Sequence, residues 1–115
     1  MLPRRLERLP ATTLADDAVI HEASTAASRL LGLAYLRELP SGHALLIADC
    51  RSVHSFGMRF PIDVAFVDEN GAPIRIARAV PRRRVLVERR AFAVIESRAG
   101  EIARFVRRGP RRSVG

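Results

Sequence analysis

The chain has 115 residues, of which 48% are apolar and 28% are charged, and its formal net charge is +8. This length suits one domain, and the apolar content excludes a wholly disordered chain. A single cysteine excludes an internal disulfide framework, and no run of 18 apolar residues is present to span a membrane. No apolar segment of signal-peptide length follows the amino-terminal arginines, so we expect a cytoplasmic protein.

The amino-terminal part contains one predicted helix between two predicted strands. Residues 1–15 lack a sustained hydrophobic period and contain two prolines, so we predict a poorly ordered lead-in. Residues 19–22 have the composition of a strand. A serine and Thr25 then offer N-cap oxygens ahead of helically spaced apolar residues, which predicts one short helix near residues 25–33. The apolar run at 44–48 has the length of a strand.

The segment 54–67 carries large apolar side chains at six successive even-numbered positions. Period-two alternation places these side chains on one face of an extended chain, which we expect to point into the core. The proline at 61 cannot donate to a strand ladder, so we predict two short strands that meet near it. The expected core residues are Phe56, Met58, Phe60, Ile62, Val64 and Phe66. Chemistry is then expected on their odd-numbered neighbours.

Asn70 and Gly71 between two apolar runs predict a hairpin, because both residues tolerate a positive φ. The remaining predicted elements are strands near 74–80, 85–87 and 91–95 and one or two helical turns within 101–106. Six or seven short strands with one short helix indicate a mainly β protein, a small β-sandwich or open barrel, over residues 16–106. Residues 107–115 are predicted to be a basic flexible tail.

The run from Cys50 to Val64 resembles the domain of unknown function 192 family (DUF192) in its Phe-x-Met and Ile-Asp pattern. Arg29-Leu30-Leu31-Gly32-Leu33 resembles the family's Arg-x-x-Gly-Leu element, and Val94-Ile95-Glu96 followed by Gly100 resembles its closing element. Many members have Trp between the Phe and the Met, where this chain has Gly57. The resemblance covers roughly residues 18–106. It implies a mostly β, sandwich-like domain and no established reaction.

Charged residues around Pro61 form the predicted binding surface. Its members are Arg51, His54, Arg59 and Asp63. We expect Arg59 to anchor an acidic group of the ligand and Asp63 to fix the direction of the Arg59 guanidinium. The alternative is that Arg59 and Asp63 form a structural ion pair that holds the bend.

Cys50, His54 and Met58 lie on one predicted face and are ligand types that copper accepts. Four residues of strand nevertheless span about 13 Å, which is too far for a shared coordination sphere. His54 likewise has no nucleophile within reach along a strand. We therefore assign no metal site, no cofactor and no catalytic residue, and the sequence favours a non-enzyme that binds a small ligand or a protein.

All 20 cationic residues are arginines, and residues 81–115 alone carry a net charge of +8. The alternative function is therefore sequence-independent nucleic-acid binding, with arginines contacting phosphates. The candidate residues are Arg82, Arg83, Arg84, Arg89, Arg90, Arg107 and Arg108. The opposing interpretation is a solvated face. The pattern also predicts that the phenylalanines of 54–67 are buried, which leaves no exposed aromatic platform for stacking bases.

Overall fold

A computed structural model describes residues 2–106, which form eight strands and three short helices. The helices are α1 (Arg4–Glu7), α2 (Ala26–Leu31) and a 3-10 helix (Ile102–Arg104). The strands are β1 (Ala11–Thr13), β2 (Val19–Glu22), β3 (His43–Ala48), β4 (Ser52–His54), β5 (Ile62–Val67), β6 (Pro73–Val80), β7 (Val85–Val87) and β8 (Ala93–Arg98). The prediction of a mainly β protein with one short helix near residues 25–33 is confirmed.

Six strands form one open sheet in the order β1-β2-β3-β8-β5-β6, and β4 pairs with β7 in a second, antiparallel sheet. All neighbours in the large sheet are antiparallel except β2 and β3, which are parallel. A parallel pair needs a crossover connection, and α2 lies in that connection. Residues 23–42 therefore return the chain to the end of the sheet at which β2 began, and β3 starts there.

Helix α2 begins at a capping box. The Thr25 hydroxyl accepts the N–H of Ser28 at 3.0 Å, and the Ser28 hydroxyl accepts the N–H of Thr25 at 3.0 Å. This exchange satisfies two backbone donors at the helix start. The helix ends at Gly32, whose φ is +57°, and a Cβ there would lie 2.5 Å from the Glu96 carboxylate. Glycine at this position therefore lets the helix end approach β8 closely.

Strand β5 is buried on both faces. Ile62, Val64 and Phe66 belong to the larger core, whereas Ala65 and Val67 belong to a smaller core on the other face. The expected burial of the even-numbered positions is correct for this strand. The expectation of an exposed odd-numbered face is wrong, because β5 lies inside the sheet and the 3-10 helix covers its second face.

The lead-in expected over residues 1–15 differs from the structure. Leu6 on α1 and Leu9 just after it are buried in the larger core, with 1% and 8% of their surfaces exposed. Strand β1 pairs with β2, Ala11 lying opposite His21. Two buried leucines and three strand residues are too few to give a hydrophobic period, so the sequence pattern carried no signal. The predicted tail at 107–115 lies outside the described residues.

Within residues 2–106, no helix is long and apolar enough to cross a membrane.

Candidate functional site: an arginine–aromatic cleft

A cleft with a volume of about 800 Å³ lies where three loops meet. One loop follows α2, the second joins β4 to β5, and the third joins β6 to β7. We call it the arginine–aromatic cleft. Its lining residues are Tyr35, Arg37, Phe56, Gly57, Met58, Arg59, Arg82 and Arg83.

Ser55 joins the second loop to the third. Its side chain is 2% exposed; the hydroxyl donates to the carbonyl of Pro81 at 2.6 Å and accepts the N–H of Arg84 at 2.8 Å. The Ser55 N–H also donates to the carbonyl of Arg84 at 2.9 Å. Three hydrogen bonds therefore hold the ends of the β6–β7 loop, which we call the arginine loop. Arg82 and Arg83 lie between those ends and line the cleft.

Tyr35 joins the first loop to the second. Its N–H donates to the carbonyl of Gly57 at 2.8 Å, although its φ of +66° lies in the left-handed region. A Cβ on Gly57 would lie 2.7, 2.9 and 3.0 Å from Cζ, Cε1 and Cε2 of the Tyr35 ring. Near-equal distances to these three atoms place that Cβ position over the face of the ring, so Gly57 lies against this face. The Tyr35 ring therefore occupies the space that a side chain at position 57 would need.

Phe56 is 48% exposed, which contradicts its predicted burial. Residues 55–61 form a turn between β4 and β5 instead of extending a strand, so the side chains no longer alternate between two faces. The Phe56 ring leans against His54, with ring centroids 6.0 Å apart and planes 42° apart. Met58 is 2% exposed and forms part of the core beneath the cleft. Its predicted burial is confirmed, and Phe60 is partly buried.

The cleft is strongly cationic. The four arginines among its lining residues carry four positive charges, and none of these described lining residues is acidic. All four arginines are exposed, and the hydrogen bonds and ion pairs found among residues 2–106 do not engage their guanidinium groups. Like charges in one cleft repel each other and create a positive potential that attracts anions.

Asp63 lies away from this surface. It is 1% exposed, and its carboxylate accepts the N–H of Ala79 at 2.8 Å, of Gly100 at 2.8 Å and of Ile102 at 3.4 Å. The register between β5 and β6 shifts at this point, leaving Ala79 in a β-bulge with a φ of +47°. Asp63 thus binds backbone groups that the sheet leaves unpaired, and these contacts replace the predicted pairing with Arg59.

The structure separates the other predicted binding residues. Arg59 lines the cleft. Arg51 is exposed outside it, at the other end of β4. The Nε2 of His54 lies 3.1 Å from the carbonyl of Leu30, so this ring ties β4 to α2 and supports Phe56. Tyr35 and Arg37 also line the cleft but were not predicted, because they come from a distant loop that carries no local signature.

The arginines predicted to bind nucleic acid lie in different surroundings. Arg82 and Arg83 line the cleft, whereas the guanidinium of Arg84 donates to the carbonyl of Arg82 at 3.4 Å. Arg90 pairs with Glu88 at 3.3 Å, and Arg89 is exposed outside the cleft. Arg107 and Arg108 lie beyond the described residues. The described blocks therefore contribute two side chains to the cleft.

Glu96 is a second buried acid, on β8 next to β5. Its carboxylate accepts the N–H of Leu33 at 3.1 Å and lies behind Gly32. Burial raises the pKa of Glu96 to about 7, against the opposing effects of the Leu33 hydrogen bond and the charge of Arg5. The Arg5 guanidinium donates to the carbonyl of Gly32, so α1, the end of α2 and β8 meet at this acid.

Cys50, His54 and Met58 have separate surroundings. The Cys50 thiol contacts the carbonyl of Ser52 at 3.1 Å, and His54 and Met58 have the contacts described above. Among residues 2–106, no group of three His, Cys, Asp or Glu side chains comes together to hold a metal ion.

Two crystal structures resemble this fold, whereas no curated protein matches the sequence. One is a protein of unknown function from Novosphingobium aromaticivorans, 22% identical with a TM-score of 0.65, over 83% of this chain and 75% of that one. The other, from Sinorhizobium meliloti, is described as a possible transcription regulator and is 21% identical with a TM-score of 0.66, over 82% and 81% of the chains. At this identity the likeness establishes a shared fold.

Residues 11–111 match the family DUF192, described as "Uncharacterized ACR". The match spans nearly the whole domain and includes every strand described above. The three family-like stretches also meet in space, since the N–H of Leu33 donates to Glu96 and the N–H of Gly100 donates to Asp63. On the strength of this match, the chain belongs to the DUF192 family.

Proposed function

We propose that this protein is a non-catalytic binding module whose arginine–aromatic cleft takes an anionic ligand, a phosphate or carboxylate compound. The observation that carries the proposal is the convergence of four exposed arginines on one cleft without an acidic lining residue among those described. Guanidinium groups bind phosphate and carboxylate through two parallel hydrogen bonds. An anion in the cleft would also relieve the repulsion between the arginines.

The size and chemistry of the cleft favour binding of a small molecule over catalysis. A volume of about 800 Å³ lies within the range of clefts that bury one small organic ligand. The described lining residues include no His, Cys, Ser or carboxylate, the usual nucleophiles and general bases. Arginine stays protonated at neutral pH and cannot serve as a base. These side chains are suited to hold an anion.

A second candidate is sequence-independent binding of nucleic acid through the arginine blocks. Two observations favour it: Arg82 and Arg83 are exposed together, and the Sinorhizobium meliloti structure is described as a possible transcription regulator. Such binding depends on phosphate contacts and weakens steeply with salt. Duplex DNA titrated at low and physiological salt, with the full chain and with a chain lacking residues 107–115, tests it. Equal affinity at both salt concentrations would exclude this mode.

Calorimetric titration with inorganic pyrophosphate at low salt tests the leading candidate. We expect saturable binding, and we expect Arg59→Ala and Arg82→Ala each to weaken it about tenfold, since each removes charged hydrogen bonds. Arg89→Ala is the matched control, because Arg89 is exposed outside the cleft. An absence of binding by the unmodified protein would overturn the proposal. So would equal losses for Arg59→Ala and Arg89→Ala, which would indicate diffuse attraction.

A further inference from the structure

We infer that the ligand of the arginine–aromatic cleft is a nucleotide, with its phosphates on the arginines and its base stacked on Tyr35 and Phe56. This inference rests on the proposed function and names the class of its anion. Binding of phosphate alone would need only the four arginines of the cleft. The two exposed aromatic rings at the same cleft are the feature that an inorganic anion leaves unexplained.

Tyr35 presents one free ring face to the cleft. Gly57 lies against the other face, because a Cβ on Gly57 would be 2.7, 2.9 and 3.0 Å from Cζ, Cε1 and Cε2 of the ring. The residue is still 60% exposed, so solvent reaches the remaining face. A ring fixed from behind and open in front is suited to stack a planar group, and every nucleobase offers such a face. Any side chain at position 57 would displace the ring.

Phe56 is adjacent to Gly57 and is 48% exposed. Apolar rings of this size are usually buried, so two exposed rings lining one cleft are informative. The His54 ring packs against the Phe56 ring, with centroids 6.0 Å apart and an angle of 42° between the ring planes. Both rings therefore have a supporting group on the protein side and an exposed surface on the cleft side.

Two residues of this cleft have backbone φ angles that non-glycine residues rarely adopt. Five non-glycine residues of the described chain have a positive φ, and two of them, Tyr35 at +66° and Arg83 at +63°, line the cleft. The hydrogen bond from Tyr35 to Gly57 fixes the first, and the Ser55 hydrogen bonds fix the ends of the loop that carries the second. Strained residues held by their surroundings are typical of binding sites that are ordered before the ligand arrives.

Tyrosine fluorescence reports directly on this stacking. The chain contains one tyrosine and no tryptophan, so the emission of the full chain comes from Tyr35 alone. Titration with ADP, pyrophosphate and adenosine separates the phosphates from the base, and free tyrosine amide corrects for light absorbed by adenine. We expect ADP to quench the emission and to bind about tenfold more tightly than pyrophosphate, because a stacked base adds to the phosphate contacts. Adenosine, which lacks phosphate, should bind more weakly than ADP.

Two phenylalanine variants provide a matched comparison. Phe56→Ala should weaken ADP about tenfold and leave pyrophosphate unchanged, whereas Phe92→Ala should change neither. Phe92 is 46% exposed, close to the 48% of Phe56, but lies outside the cleft. Circular dichroism of both variants confirms that they fold. If Phe56→Ala instead fails to fold, the quenching of Tyr35 by ADP in the unmodified protein decides whether a base stacks in the cleft.

The outcomes separate the inference from the function on which it rests. Equal affinity for ADP and pyrophosphate, without quenching, would contradict nucleotide binding but would still agree with anion binding in the cleft. Failure of both to bind would overturn both. A short single-stranded oligonucleotide, compared with an abasic strand of equal charge, shows whether the bound nucleotide is free or part of a nucleic-acid strand. Tighter binding than ADP assigns the nucleotide to a strand, and weaker binding assigns it to a free nucleotide.

Discussion

The centre of the sheet and the arginine–aromatic cleft use charged residues in opposite ways. In the sheet, Asp63 and Glu96 are each 1% exposed and accept hydrogen bonds from backbone N–H groups. In the cleft, Arg59 and Arg82 are exposed and lie beside other cations. A buried carboxyl group with fixed hydrogen-bond partners stabilises one backbone conformation. An exposed charge among like charges stabilises little and is available to a ligand.

Part of the family-like sequence falls in the first of these regions. Gly32 and Leu33 meet Glu96, and Asp63 meets Gly100, through contacts that join α2, β5 and β8. These residues hold the scaffold on which the cleft loops stand. The cleft takes half of its lining from the family-like run Cys50 to Val64, including Phe56 and Arg59, and the other half from loops outside the family-like elements.

Replacing Asp63 should give the largest effect on the free energy of unfolding. Asp63→Ala leaves three backbone N–H groups without their acceptor, and we expect a loss of about 3 kcal/mol or more. Urea unfolding measures it. Glu69→Ala removes an exposed acid and should stay within about 0.5 kcal/mol of the unmodified protein. Similar values for the two variants would contradict a structural role for Asp63.

Glu96 should make the stability depend on pH. Its pKa is about 7 in the folded protein and is expected near 4.5 when unfolded, so between these values the folded state retains a proton that the unfolded state has lost. The free energy of unfolding should therefore fall as pH rises through this window, by about 3 kcal/mol in all. Glu96→Gln carries no titrating group and should lack this contribution.

The difference between the unmodified protein and Glu96→Gln isolates this acid from other titrating groups. His21 acts in the opposite direction, because burial lowers its pKa and the proximity of His43 adds to the effect. Urea unfolding at pH 4 and pH 8 gives the change in that difference. A difference that stays constant across the range would show that the pKa of Glu96 is the same in the folded and the unfolded protein.

The sequence predicted the elements that have local signals. A capping threonine marked α2, an Asn-Gly pair marked the β5–β6 hairpin, and the apolar run at 44–48 marked β3. These features depend on residues close in sequence, so one chain suffices to identify them. The bulge opposite Asp63 could not be identified this way, because it depends on the register between β5 and β6.

The cleft was predicted least well. Period two at Phe56, Met58 and Phe60 indicated a strand, but three alternating positions also occur in a turn, as here. Arg59 was singled out and does line the cleft, yet Tyr35 and Arg37 come from some twenty positions away. The contact between Tyr35 and Gly57 is a tertiary feature without a sequence period. Binding surfaces built from several loops are generally invisible to local patterns.

A medium effect is expected at Ser55, which connects the two regions by fixing the arginine loop. Ser55→Ala removes the hydrogen bonds to Pro81 and Arg84 and should destabilise the protein by about 1–2 kcal/mol. It should also weaken pyrophosphate binding, because Arg82 and Arg83 lose their fixed position. Ser52→Ala, an exposed serine on β4, is the control. Unchanged pyrophosphate affinity in a destabilised Ser55→Ala would show that the loop needs no anchoring.

The smallest effect on stability is expected at Arg59, and it decides between the two roles that the sequence left open for this residue. Asp63 has its backbone partners without Arg59, so Arg59→Ala should change the free energy of unfolding by less than about 0.5 kcal/mol. A slight gain is expected at low salt, because one repulsive charge leaves the cleft. Urea unfolding without and with pyrophosphate measures both properties. A structural ion pair requires the opposite pattern, with a clear loss of stability and no loss of ligand-induced stabilisation.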